Sequence, residues 1–89
     1  MQEITLVIQN KVGLHARPAA LFVQTAKKFK SKVLAIKDKR EANAKSILSI
    51  LTLGASQGAV VTVRAEGEDE AEAVEALKQL VDDNFGEPE

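Results

Sequence analysis

Residues 3–9 alternate, with Ile4, Leu6 and Ile8 on one side and Glu3, Thr5 and Gln9 on the other; only Val7 breaks the rule. A period of two predicts a strand buried on one face. Asn10 and Gly13 then predict a loop. From 16 to 29 the period changes: Phe22, Ala26 and Phe29 recur at helical spacing, with Ala19 and Val23 beside them. Pro18 fits only the first turn of such a helix, where its missing N–H has no partner to lose. The helix therefore starts close to residue 16. Lys27, Lys28 and Lys30 gather at its far end, where cations complement the helix dipole.

A short apolar run over 32–37 predicts a second strand, a turn at Lys37-Asp38-Lys39 a reversal, and 40–44 a weaker returning strand. Ser46 opens an apolar run that Gly54 closes. Ile and Thr in this run favour a strand, but Ser at a helix start and Gly past its end predict a short helix. Residues 54–58 form a loop. In 60–66, Val61, Val63 and Ala65 alternate with Thr62, Arg64 and Glu66 to predict a strand. From 69 to 84, Val74, Leu77, Leu80 and Val81 make the stripe of an amphipathic helix, with Asp69, Glu70 and Glu72 suited to its first turn. Fraying is expected over 86–89. The order is β-α-β-β-α-β-α. Strands apolar on one face need one covering layer, so the expectation is a two-layer α+β fold, an antiparallel sheet under three helices.

Eighty-nine residues allow one small domain over 1–89, and 45% hydrophobic with 28% charged residues suits a folded chain. With no cysteine, disulfides and thiolate metal sites are excluded, and one histidine makes any metal site implausible. No apolar run approaches the ~20 residues a membrane span needs, and the N-terminus has no basic flank of a signal peptide. A cytoplasmic monomer without cofactor or metal is expected. Net charge is −1, but its distribution is uneven. Residues 1–45 carry ten basic and three acidic side chains, and residues 46–89 carry two and ten. A basic half attracts an anion or an acidic partner. With no Trp or Tyr there is no stacking platform for bases, so nucleic acid is not the expected partner.

His15 stands directly before the predicted helix, followed by Arg17 and Pro18. A helix N-terminus exposes N–H groups without partners and carries roughly half a positive charge, which together attract anions. Arg17 adds a planar donor suited to phosphate oxygens. A neutral imidazole is a nucleophile, so a histidine here could accept a phosphoryl group. An exposed histidine at a helix start with no chemical role fits the same residues. No base, metal or enclosed pocket accompanies the imidazole. That describes a site acted on by another protein, not an enzyme.

The stretch Gly13-Leu14-His15-Ala16-Arg17-Pro18-Ala19 resembles the active-centre signature of HPr, the histidine-containing phosphocarrier family of the bacterial phosphotransferase system. Asn43-Ala44-Lys45-Ser46-Ile47-Leu48 resembles that family's regulatory serine segment, and Leu53-Gly54 and Gln57-Gly58 its following loop. The resemblance spans nearly the whole chain. It implies an open-faced β-sandwich, a four-stranded antiparallel sheet under three helices. It implies that His15 receives a phosphoryl group on Nδ1 from enzyme I, which takes it from phosphoenolpyruvate, and passes it to IIA domains of sugar permeases. Arg17 would lie beside that phosphate, and Ala16, Ala20 and Lys27 would join the partner-binding surface. Ser46 would be a second phosphorylation site, modified by an HPr kinase/phosphorylase.

At 100° per residue, Ile50 and Leu53 share one side of the short helix, and Ile47, Leu48 and Leu51 another. This apolar arc is about twice the ~100° an ordinary surface helix buries. Ile50 and Leu53 are therefore expected in the core, with Ile47, Leu48 and Leu51 exposed beside His15 as a docking patch rimmed by Arg17, Lys27 and Lys28. Two rival roles use the same residues: a nitrogen-type phosphorelay, and a regulator that docks on a catabolite transcription regulator through phospho-Ser46. Members of the latter kind lack the active histidine, so His15 argues against that role alone.

Overall fold

β1 (Gln2–Val7) leads into α1 (Ala16–Ala26), the hairpin β2 (Lys32–Lys37) and β3 (Arg40–Asn43), the short α2 (Ile47–Thr52), β4 (Val60–Glu66) and α3 (Glu70–Asp82). The structure, a computed structural model, describes residues 1–86, so the tail expected to fray lies outside the described residues from 87 on. The strands make one antiparallel sheet in the order β1-β4-β2-β3, with β1 and β3 as edges.

Pairing of Leu6 with Val61, of Ala35 with Val63 and of Ala42 with Ala35 puts the apolar set of all four strands on one face. The helices cover that face, burying Phe22, Ile50, Leu77 and Val81 against it. Small residues at Ala35, Ala42 and Ala65 let the helices approach the sheet closely. Each large side chain so buried stabilises by roughly 1.5–3 kcal/mol. The opposite face is mixed, with Glu3, Thr5, Thr62 and Arg64 beside the apolar Val7, Leu34, Ile36 and Val60, and Arg64 Nε donates to Glu3 at 2.7 Å. This is the two-layer α+β fold that the patterning predicts, in the form of the open-faced β-sandwich that the resemblance implies.

Boundaries differ in two places for identifiable reasons. α1 ends at Ala26, three residues early, because Lys28 N–H bonds back to Thr25 O and Phe29 N–H to Ala26 O, tightening the last turn. Phe29 still packs on the core from this turn. α3 ends at Asp82, and the chain then turns left-handed at Asn84 and Phe85, with φ of 54° and 58°, which buries the Phe85 ring.

Asp69 is not a first-turn acid. It stands at the N-cap of α3, and its carboxylate reaches across to the α1–β2 link. There it accepts from Lys30 N–H at 2.8 Å, from Ser31 N–H at 2.9 Å and from the Ser31 hydroxyl. The Ser31 hydroxyl bond, followed by the Lys30 amide, lowers its pKa to about 2. A lowered carboxylate pKa contributes stability above the unfolded value of ~3.9 and loses it as pH falls toward the folded value. Asp69→Asn should therefore melt well below the parent at pH 7, and the gap should close as pH falls from about 4 to about 2. Thermal melts across that range test this; a gap independent of pH would refute the role.

Candidate functional site

The turn from Asn10 to Gly13 delivers the chain to α1. Gly13 N–H donates to Asn10 O at 3.1 Å, and the Asn10 side-chain amide donates to Gly13 O at 2.8 Å. Asn at the first and Gly at the fourth position suit such a turn. Gly13 has φ +66° and lies so close to the loop after α2 that a Cβ there would meet Ala55 O at 2.4 Å. Leu14, buried, donates to Ala55 O at 2.8 Å. His15 follows at once.

His15 is the N-cap of α1, in extended conformation, with its carbonyl accepting from Ala19 N–H at 2.8 Å. Its side chain is exposed and caps nothing. Most N-cap residues spend their side chain on a first-turn amide; here the imidazole is left to solvent. Ala16 and Arg17, also exposed, have no hydrogen-bond partner for their amides among the described residues, and Pro18 has no amide hydrogen to offer. Two free N–H groups and the positive end of the dipole thus lie beside a free imidazole, with the Arg17 side chain in the same turn. Pro18 and Ala19 are buried and anchor the turn, and Ala20 is half-buried one position on.

Ser46 caps α2, its Oγ accepting from Ser49 N–H at 3.3 Å. Lys45 Nζ donates to Phe29 O at 2.7 Å, tying the start of α2 to the end of α1, while the Leu14–Ala55 bond ties the end of α2 to the start of α1. The two helices therefore run in opposite directions, and Ser46 and His15 stand at opposite ends of the pair. Between them Ile47, Leu48 and Leu51 are 44%, 70% and 39% exposed, whereas Ile50 and Leu53 are in the core, the division the helical arc predicts. Lys27 is exposed but caps the far end of α1, roughly 18 Å along the axis from His15 at 1.5 Å per residue. The basic rim expected around the apolar patch is thus divided, with Arg17 at the His15 end and Lys27 and Lys28 at the Ser46 end. That Lys27 and Lys28 lie at the far end of α1 is legible in the sequence; that this end meets Ser46 is a tertiary fact, fixed by the direction of α2.

Among the described residues, no three His, Cys, Asp or Glu side chains converge as a metal site would need. No described helix is long and apolar enough to cross a membrane. The family model described as PTS HPr component, phosphorylation site, matches residues 2–83.

The chain belongs to the HPr family. Phosphocarrier protein HPr of Xylella fastidiosa (strain 9a5c) is 48% identical over 87 residues, covering 98% of each chain. The crystal structure of HPr-C-His from Thermoanaerobacter tengcongensis is 57% identical and superposes with a TM-score of 0.97 over the whole of both chains. HPr proteins are phosphocarriers rather than catalysts. A crystal structure of an HPr dimer from T. tengcongensis is also similar, at 59% identity and a TM-score of 0.79 over 98% of this chain and 100% of that one. That dimer weighs against the monomer expected from the sequence.

Proposed function

We propose that His15 is the phosphoryl acceptor of this chain, loaded from phosphoenolpyruvate through enzyme I and unloaded onto IIA domains of sugar permeases. The uncapped imidazole at the start of α1 carries this reading. Its ring nitrogen, Nδ1 by family resemblance, forms a bond to phosphorus as the donor's bond to phosphorus breaks, and the ring proton remains on the other nitrogen. The Ala16 and Arg17 amides and the Arg17 guanidinium offset the new negative charge. An open helix end supports that charge without enclosing the group, so the next protein can reach it. The whole chain acts as one carrier domain, and the cytoplasm is where such a relay would run. Incubation with enzyme I and labelled phosphoenolpyruvate should place on the protein a label lost in mild acid and stable in base. An acid-stable label would point to a serine ester and overturn the assignment.

Docking falls to Ile47, Leu48 and Leu51 with Ala16, Ala20 and Lys27 around them, since an apolar centre with a basic rim suits acidic partners. Ser46 is the regulatory position, modified by an HPr kinase/phosphorylase. A phosphate there joins a helix N-terminus, so it leaves α2 folded and instead sets about −1.5 to −2 charges beside the patch. Ser46→Asp and Leu48→Asp should each lower kcat/KM with phospho-enzyme I about tenfold, equivalent to ~1.4 kcal/mol, with little change in melting temperature. Steady-state transfer assays test this, and Ser46→Asp loading at the parent rate would refute the repulsion mechanism. The same modified face is the one a catabolite transcription regulator would bind.

A further inference from the structure

We infer that Asn10 is a positioning residue for His15, holding the histidine's backbone at the helix end through the turn that precedes it. The inference rests on the reading of His15 as phosphoryl acceptor.

Asn10 is one of two buried polar residues among the described residues, 2% exposed. Its amide nitrogen donates to Gly13 O, while its Oδ1, equally buried, has no hydrogen-bond partner among the described residues. A buried carbonyl oxygen without a donor destabilises, so burial alone favours an apolar side chain at this position. What asparagine adds is a rigid donor aimed at the Gly13 carbonyl. That bond crosses the turn its own backbone closes, so Gly13 is held through both its N–H and its C=O.

The consequence for His15 follows from the neighbours. Ile8 N–H donates to Ala59 O at 2.9 Å, Gly58 N–H to Ile8 O at 2.7 Å, and the Gln57 side chain to Gln9 O at 3.1 Å. These bonds lay the chain before Asn10 along the 57–59 loop. Leu14 N–H to Ala55 O lays the chain after Gly13 along the same loop. Between these two attachments the chain bulges outward over Lys11 and Val12, both exposed, and the Asn10 side chain is the brace across the bulge. Among the described residues, the His15 side chain has no hydrogen-bond partner that would place it. Its position relative to the free amides of Ala16 and Arg17 is inherited from residues 13 and 14, and the brace sets residue 13. Transfer chemistry is steep in such placement, where an error of about 1 Å costs about a hundredfold.

The test compares Asn10→Ala with Val81→Ala, a core truncation at the end of α3, and with Asn10→Asp, which keeps the shape but whose carboxylate has no proton to donate to Gly13 O. Transfer kinetics from phospho-enzyme I, melting temperature, and NMR shifts of the His15 ring and the Ala16 and Arg17 amides are measured for each. Both Asn10 variants should lose about tenfold or more in kcat with KM nearly unchanged, and should shift the His15, Ala16 and Arg17 resonances. Val81→Ala, at comparable loss of melting temperature, should do neither. Asn10 variants that transfer within twofold of the parent, or a Val81→Ala protein slowed to the same degree, would overturn the inference. Should the parent itself take no acid-labile group, the acceptor reading fails. The resonances then decide the placement alone: shifts confined to the Asn10 variants support it, and their absence overturns it. Should Asn10→Ala fail to fold, Asn10→Asp supplies the same comparison.

Discussion

Replacing His15 with alanine should abolish the acid-labile label from phosphoenolpyruvate and enzyme I while leaving the melting temperature within about 2–4 °C of the parent, the span of roughly half a kcal/mol in a domain of this size. Both halves follow from the same geometry. The imidazole is exposed and has no hydrogen-bond partner among the described residues, so its removal leaves no cavity and no orphaned partner there. Since the side chain caps no amide, the usual cost of losing a cap, about 1 kcal/mol, does not arise. The nucleophile, however, has no substitute, because the chain has one histidine and no cysteine. Label retained by His15→Ala in acid-labile form would place the acceptor elsewhere. A large drop in melting temperature would show that the ring makes contacts the fold depends on.

Gly13→Ala should damage both stability and transfer. A residue with a Cβ at φ +66° costs roughly 1–2 kcal/mol in backbone energy. In a chain of this length that corresponds to a fall of roughly 4–16 °C in melting temperature. The Cβ would also lie 2.4 Å from Ala55 O and 2.6 Å from Ser56 Cα, both backbone atoms that no rotamer change can move aside. Either residue 13 or the 55–56 loop must shift, and the Leu14–Ala55 bond weakens with it. Because His15 is two residues on, the displacement reaches the acceptor, and transfer should fall by more than the loss of folded protein explains. Calorimetry together with single-turnover transfer, corrected for the folded fraction, separates the two effects. A Gly13→Ala protein with parental melting temperature would show that the close approach to Ala55 is dispensable.

The strands and the long helices are legible in the chain because their signals are local. A period of two in Ile4, Leu6 and Ile8, or the stripe of Val74, Leu77 and Val81, reports a face that must be buried whatever covers it. The split of α2 is readable for the same reason: at 100° per residue, Ile50 and Leu53 cannot share a side with Ile47, Leu48 and Leu51. His15 is legible too, since Pro18 dates the helix start and so puts the histidine at its end. Asp69 shows where this method stops. Asp69, Glu70 and Glu72 read as first-turn complements to the dipole, yet Asp69 spends its charge on Ser31 and Lys30, 38 and 39 residues away.

From the sequence by itself came the alternation of elements, the identity of the core faces and the one histidine at a helix start, because each depends on residues within a few positions of one another. The tertiary structure alone decided that α1 and α2 run opposite ways, which separates Ser46 from His15 and leaves Lys27 with the former. It alone decided that Gly13 must be a glycine against Ala55 and that Asn10 braces the turn before the histidine. These are contacts between segments distant in sequence or bonds set by the path of a loop, and no periodicity encodes where a loop will lie.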